Sequence, residues 1–192
     1  MTKYRLSIIV ILLMIFVVSG CRSSEDGVKD KIRRMQSQTV EIPFNKFSCW
    51  INDSLQTICP WENADMKLVV YIDSTQCSKC SLKQMYLWDD FVKLENKYKD
   101  RFEIFFIMHT NSVNVQSLAS LFHLTQLNHP MYIDCMGAFE KKNPHIPSEQ
   151  MYHTFLLDEK NNVILVGNPL FNPKVEEMLL TILKEKLGKA RG

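Results

Sequence analysis

The sequence predicts an α/β fold, in which a partly parallel sheet carries helices on both faces. Strand-like and helix-like segments alternate from Lys67 onward, as in sheets whose strands are joined by helical crossovers. The first strand-like run, 68–72, is apolar throughout and rich in β-branched residues, as expected for a buried strand. A hairpin pattern and an amphipathic helix near the C-terminus complete the predicted sheet.

The first twenty residues have the features of a secretory signal peptide. Lys3 and Arg5 precede an apolar run over 6–18, and small residues then lead to Cys21. The run is shorter than the ~20 residues that a membrane-spanning helix needs. The stretch 18–21 resembles the bacterial lipobox, whose cysteine is lipidated and becomes the mature N-terminus. We therefore expect cleavage after residue 20 and a lipid anchor on Cys21.

The segment between this cysteine and the predicted domain is expected to be a flexible tether. Residues 21–39 are rich in charged and small polar side chains and have little apolar surface to bury. The folded domain is predicted to span 40–190. Its first part, 40–64, is expected to add short antiparallel strands to the sheet edge, because strand-like runs flank a turn at Asn52-Asp53-Ser54.

The remaining elements follow from local patterns. After Cys80, apolar residues recur at helical spacing as far as Leu94. Asn172 and Pro173 are a favourable cap and first residue for the last helix, which Gly188 can end. Between these helices we expect a strand at 102–108, a helix at 113–124, a strand at 130–134, and hairpin strands at 154–157 and 163–166.

The composition excludes several classes of function. The net charge is +2 and 46% of the residues are hydrophobic, without a basic stripe interleaved with aromatics, so no nucleic acid partner is expected. None of the six glycines falls in a phosphate-binding loop pattern. No cofactor is predicted.

The strongest chemical motif is the pair Cys77 and Cys80, which falls where the first buried strand meets the first amphipathic helix. A helix N-terminus favours a thiolate, and two intervening residues on one turn allow a reversible disulfide. We assign Cys77 as the attacking thiolate and Cys80 as the resolving thiol, with exchange through a mixed disulfide. Export to an oxidising compartment would permit such a bond.

Three other interpretations of this pair remain open. It could be half of a zinc site, although no second paired motif follows. It could bind copper with one of the five histidines, each of which is isolated in the sequence and is expected to be solvated or capping. It could also be a structural disulfide without turnover. No metal site is predicted.

The stretch from Lys67 to Cys80, together with 154–158 and 163–169, resembles thioredoxin-like proteins. It is most similar to the membrane-tethered thiol–disulfide oxidoreductases and peroxiredoxin-like lipoproteins of the Gram-negative envelope. The resemblance implies a thioredoxin-like fold with an inserted helix–strand unit and a short N-terminal β extension. It also implies a cis-proline before the third core strand, where this chain has Tyr152, and a buried acid on the first strand, where it has Tyr71.

The other candidate residues are a carboxylate and three further cysteines. Asp73 is a possible proton relay, although a turn-capping role explains it as well. Cys49 and Cys59 flank the Asn52-Asp53-Ser54 turn and are a possible structural disulfide. Cys135 is expected to be a buried thiol.

Together these features predict an envelope thiol–disulfide oxidoreductase, anchored by lipid to a membrane and facing the periplasm or the cell surface. Its partners would be secreted or envelope proteins that carry thiols or disulfides. Two alternatives are a non-enzymatic thioredoxin-like binding lipoprotein with a structural disulfide, and a peroxidase-type thiol enzyme.

Overall fold

The computed structural model describes residues 25–51, 54–57, 64–76, 78–110 and 127–188. The fold is built around a single mixed sheet. Its strands are β1 (Ser48–Ile51), β2 (Ser54–Gln56), β3 (Met66–Ile72), β4 (Phe102–His109), β5 (Met131–Asp134), β6 (Thr154–Leu157) and β7 (Val163–Val166). They lie in the order β2-β1-β5-β4-β3-β6-β7. The helices are α1 (25–36), α2 (Ser78–Lys83), α3 (Asp89–Tyr98), α4 (Ala138–Lys142) and α5 (Pro173–Leu187).

The strand directions agree with the sequence prediction. The central strands β3, β4 and β5 run parallel, β6 and β7 form an antiparallel hairpin beside β3, and β1 with β2 adds an antiparallel edge beside β5. The predicted helix at 113–124 lies outside the described residues.

Both faces of the sheet are covered, which explains why β3 is buried at all seven positions. Leu68 and Val70 face a core formed with α3 and α5, whereas Val69 and Tyr71 face a second core with α1 and α4. This alternation follows from the two-residue period of a strand. The carboxyl end of β3 is therefore held firmly on both sides, and the candidate site begins there.

The predicted tether is in part an ordered helix, which corrects the prediction of a flexible segment at 21–39. Residues 25–36 form α1, and Met35 is fully buried in the second core. Lys31 pairs with Glu149, and Arg34 donates to the carbonyl oxygen of Pro144. Helix α1 has few apolar residues, but one of them, Met35, packs in the second core with residues of α4 and the sheet.

The amphipathic helix predicted after Cys80 is divided into α2, a 3₁₀ segment (Met85–Trp88) and α3. The buried apolar residues explain the division, because they recur every three residues. A 3₁₀ helix has three residues per turn and keeps such positions on one face, whereas an α-helix would rotate them away. These residues are Leu82, Met85, Trp88 and Phe91.

Candidate functional site

The site lies where β3 ends and α2 begins. Ile72 is the last residue of β3, a turn covers 73–76, and α2 starts at Ser78. Cys80 is disulfide-bonded, and its side chain is exposed. The sequence predicts Cys77 as its partner, and Cys77 lies outside the described residues, as do Cys21 and Cys59.

The two remaining described cysteines lie in different surroundings. Cys49 is fully buried, and its possible disulfide with Cys59, which lies outside the described residues, stays a prediction. The register of the β1–β2 hairpin places Gln56 opposite Cys49, and the Cys49 side chain belongs to the second core. Cys135 is exposed instead of buried, and desolvation and the charge of Asp134 raise the pKa of its thiol.

Asp73 is the first residue after β3, and its carboxylate is buried. Oδ1 accepts hydrogen bonds from the backbone N–H of Thr75, at 2.7 Å, and from the Thr75 hydroxyl, while Oδ2 accepts from Nε2 of Gln76 at 3.1 Å. Burial acts to raise the pKa of Asp73, but these hydrogen bonds outweigh it and lower the pKa below its usual value. The carboxylate thus organises the turn that leads into Cys77.

His153 lies against the same carboxylate, a contact that the sequence analysis did not predict. Its Nδ1 is 3.2 Å from Oδ2 of Asp73, and its Nε2 is 3.0 Å from the carbonyl oxygen of Pro147. The ring packs edge-on against Tyr71, with centroids 5.2 Å apart. Because 80 residues separate Asp73 from His153, the pairing of β3 with β6 is what brings them together.

A groove of about 90 Å³ lies beside α2, between that helix and the loops around β6 and β7. Gln76, Ser81 and His153 line it with polar groups. Leu87 and Phe171 contribute exposed apolar surface, and Phe171 is 69% exposed. A second cavity, of about 390 Å³, is lined by Tyr71, Glu140 and Ser148 among others. Tyr71 and His153 line both the groove and the cavity.

Tyr152 occupies the position where the resemblance implies a cis-proline. The peptide bonds of the described residues are all trans, and the Tyr152 side chain is 2% exposed. It packs in the second core, and Nζ of Lys31 in α1 lies 5.7 Å from its ring centre. The loop before β6 is thus held against the second core by the Tyr152 side chain and by its contact with α1.

The described histidines are buried, contrary to the expectation that they are solvated or capping. His129 pairs with Glu95 at 2.8 Å, and His109 lies 3.7 Å from Glu140. Burial, with a contribution from the charge of Arg34, lowers the pKa of His145. Within the described ranges, no three histidine, cysteine or acidic side chains are grouped so that they could hold a metal ion. No helix in that part of the chain is long and apolar enough to cross a membrane.

No protein-family model matches the sequence, and neither does the sequence of any curated protein. Solved structures do match. A candidate protein disulfide isomerase from Bacteroides thetaiotaomicron is similar over 79% of this chain and 89% of its own, with 14% identity and a TM-score of 0.51. A thioredoxin-like protein from Porphyromonas gingivalis is similar over 78% and 94%, with 11% identity and a TM-score of 0.44.

A third match is a domain of a possible thiol–disulfide isomerase from Cytophaga hutchinsonii, over 80% of this chain and 97% of that domain, with 11% identity and a TM-score of 0.47. The strand order and the similarity to the Bacteroides thetaiotaomicron structure define the fold class of this domain. The domain has a thioredoxin-like fold, extended at the sheet edge by β1 and β2.

Proposed function

We propose that this protein is a membrane-anchored thiol–disulfide oxidoreductase of the cell envelope, which uses Cys77 and Cys80 as its redox pair. The observation that carries the proposal is the disulfide-bonded, exposed Cys80 in α2, directly after the central strand of a thioredoxin-like sheet. Lipid on Cys21 would hold the domain at a membrane, where its partners would be secreted or envelope proteins with thiols or disulfides.

The reaction is an exchange of one disulfide for another. A thiolate of the partner attacks one sulfur of the Cys77–Cys80 disulfide, which forms a mixed disulfide and releases the other sulfur as a thiolate. A second partner thiol, after losing its proton, attacks the mixed disulfide. The partner leaves with a new disulfide, and the pair has taken up two electrons. The reverse sequence reduces a partner disulfide.

The groove beside α2 supports a polypeptide partner. Backbone and polar side chains of a bound segment can bond to Gln76 and Ser81, while Leu87 and Phe171 offer apolar surface at its rim. Both apolar residues line the same groove, and apolar surface grouped beside a binding groove is typical of sites that bind other proteins. The raised pKa of the Cys135 thiol makes that exposed cysteine a poor nucleophile by comparison.

Trapping of the mixed disulfide tests the proposal. With Cys80 replaced by serine, the intermediate at Cys77 cannot resolve, so we expect envelope proteins linked to the chain and released by reductant. Cells would be quenched with acid and alkylated before non-reducing electrophoresis and mass spectrometry. The adducts should vanish in the double variant Cys77→Ser, Cys80→Ser. No adducts from Cys80→Ser would contradict the proposal.

Because Cys135 is an exposed thiol, it supplies the control. The variant Cys80→Ser, Cys135→Ser should retain the adducts of Cys80→Ser alone. If the adducts disappear when Cys135 is removed, they belong to that cysteine and the assignment of Cys77 is wrong.

One observation favours a second candidate, a non-enzymatic binding lipoprotein. The buried Tyr152 fills the position of the family proline and faces the core. Normal physiological function of Cys77→Ala, Cys80→Ala at unchanged protein level would favour the binding module over the oxidoreductase.

A further inference from the structure

The cavity of about 390 Å³ at the end of β3 has the size of a small-molecule site, since ligand pockets occupy about 300–1,000 Å³. Its wall comes from Tyr71 of β3 and the turn after it, from Phe139 and Glu140 of α4, and from the loop 143–148. The rings of Tyr71 and Phe139 lie with centroids 4.9 Å apart, and both side chains are buried. The cavity thus combines an aromatic wall with a carboxylate.

Hydrogen bonds hold the helix and the loop that form this wall. Asp134, at the end of β5, accepts from the backbone N–H groups of Ala138, at 3.0 Å, and Phe139, at 2.9 Å. After α4, the Asn143 side chain donates to the carbonyl oxygens of Phe139 and Glu41, each at 2.8 Å. Because Asp134 already occupies the N–H groups at the start of α4, we do not expect a second anion to bind there.

Glu140 is the carboxylate of the cavity wall. Its Oε1 accepts a hydrogen bond from the Tyr71 hydroxyl at 2.8 Å. Its Oε2 lies 3.7 Å from Nδ1 of His109, beyond hydrogen-bond distance, and accepts no hydrogen bond from the described residues. The imidazole of the wall, His153, faces Asp73 instead. The Glu140 side chain is half exposed, so one of its oxygens is fixed and the other can receive a donor from a ligand.

The basic side chains around this part of the fold are bonded to other groups. Within α4, Lys141 donates to the carbonyl oxygen of Met136 at 2.6 Å, and Lys142 pairs with Glu41 at 2.9 Å. Arg34 of α1 donates to a backbone carbonyl oxygen of the loop after α4. None of these three cations is paired with Glu140. The charge at the cavity wall therefore favours a positively charged ligand over an anion.

We propose that this cavity binds a small organic amine, whose ammonium group pairs with Glu140 and whose apolar part lies on Tyr71 and Phe139. An ammonium group donates charge-assisted hydrogen bonds to a carboxylate, and aromatic rings attract a cation at their faces. A wholly apolar ligand would cover the carboxylate without pairing it, which is costly. The inference goes beyond the redox activity and does not depend on it.

Phenethylamine and 2-phenylethanol are suitable probes, because they share a ring and a stem and differ in the ammonium group. Titration calorimetry of the full chain at neutral pH would measure both affinities. We expect a Kd on the order of 1 mM or lower for phenethylamine. The alcohol should bind about tenfold more weakly, because a hydrogen bond between charged groups is the stronger one. NMR signals of Tyr71 and Phe139 should shift when phenethylamine is added.

Two variants and a control test the residues. Glu140→Gln should weaken phenethylamine binding about tenfold and remove most of its advantage over the alcohol. Tyr71→Phe keeps the ring and removes the hydroxyl that holds Oε1 of Glu140, so we expect a smaller loss of about threefold. The control is Glu176→Gln, which changes a glutamate beside another cavity, of about 290 Å³, and should leave both affinities unchanged.

Several results would overturn the inference. They are equal affinities of the native chain for the amine and the alcohol, and an unchanged amine affinity in Glu140→Gln. Absence of phenethylamine binding, or NMR shifts confined to residues outside the cavity, would have the same meaning. Circular dichroism checks that each variant folds. If Glu140→Gln does not fold, the comparison of the two probes and the result for Tyr71→Phe still decide.

Discussion

At the scale of single residues, carboxylates after strands organise the turns of this domain. Asp73 does so in the turn ahead of Cys77, and Asp158 does so in the β6–β7 hairpin. Oδ1 of Asp158 accepts from the backbone N–H groups of Lys160, at 2.9 Å, and Asn162, at 2.8 Å. Burial acts to raise the pKa of Asp158, but hydrogen bonds from Asn162 and Lys160 outweigh it and lower the pKa. Both turns are therefore stabilised by an ionised side chain.

We expect Asp158→Ala to lower the free energy of unfolding by about 1–2 kcal/mol at pH 7, because it removes the acceptor for two backbone donors. The pKa of Asp158 is depressed in the folded state. Asp158 therefore stabilises the folded state at pH values above its unfolded pKa of about 4. This stabilisation is lost as the pH falls through its folded pKa.

Urea unfolding at several pH values would measure this difference between the variant and the native chain. The difference in unfolding free energy between the variant and the native chain should narrow as the pH falls below about 4. The exposed neighbouring position supplies the control, Glu159→Ala, which should change the free energy of unfolding by less than about 0.5 kcal/mol. If the difference in unfolding free energy between Asp158→Ala and the native chain stays constant with pH, ionisation of Asp158 is not the cause of the stabilisation.

The residues show which part of the site the sequence could predict. Cys77, Cys80 and Asp73 lie within eight residues of each other, so local spacing was enough to single them out. The contact between His153 and Asp73 was missed because it depends on a strand pairing that brings distant residues together. A buried histidine in contact with a carboxylate leaves no local pattern. The positions of the other buried histidines were missed for the same reason.

At the scale of elements, the strands were easier to predict than the helices. The strands of the central sheet are short apolar runs whose burial on both faces shows in composition alone. The apolar residues after Cys80 are spaced three residues apart, which fits a 3₁₀ helix. Over short distances the same spacing also fits an α-helix, so the sequence did not predict where the helix divides. Burial in the structure was needed to choose between them.

Helix α1 is the element that the sequence did not indicate. Its charged composition is typical of a linker, and its contribution to the core depends mainly on Met35, with partial help from Ile32. A single anchor residue is too weak a signal for an amphipathic pattern. Yet the helix also bonds to the loop before β6, through Lys31 and Arg34.

We expect Met35→Ala to destabilise the domain by roughly 2–5 kcal/mol, because it removes a fully buried side chain and leaves a cavity. Chemical denaturation of the chain from residue 21 onward would measure this loss. Arg33→Ala on the same helix is the control, since the Arg33 side chain is 75% exposed and should matter by less than about 0.5 kcal/mol. Equal stability of both variants would mean that α1 does not pack on the domain.

At the scale of the whole molecule, the position of α1 limits the distance between the domain and a lipid anchor. Residue 25, the first described residue of the helix, lies four positions after Cys21 in the sequence. A fully extended chain covers at most about 3.6 Å per residue, so the helix would begin within roughly 15 Å of the lipidated cysteine. An anchored domain would thus act on partners close to the membrane surface, not at the end of a long tether.

The anchor itself is tested by Cys21→Ser. A lipidated cysteine gives stable membrane attachment when it carries more than one acyl chain, and serine provides no thiol for the lipid. We expect the native chain to incorporate labelled palmitate and to sediment with membranes, and the variant to lose the label and to leave the membrane fraction. Cys135→Ser should behave as the native chain does, because it removes a cysteine outside the lipobox-like stretch. Label and sedimentation that persist in Cys21→Ser would place the attachment elsewhere and would remove the basis for a redox domain held near the membrane.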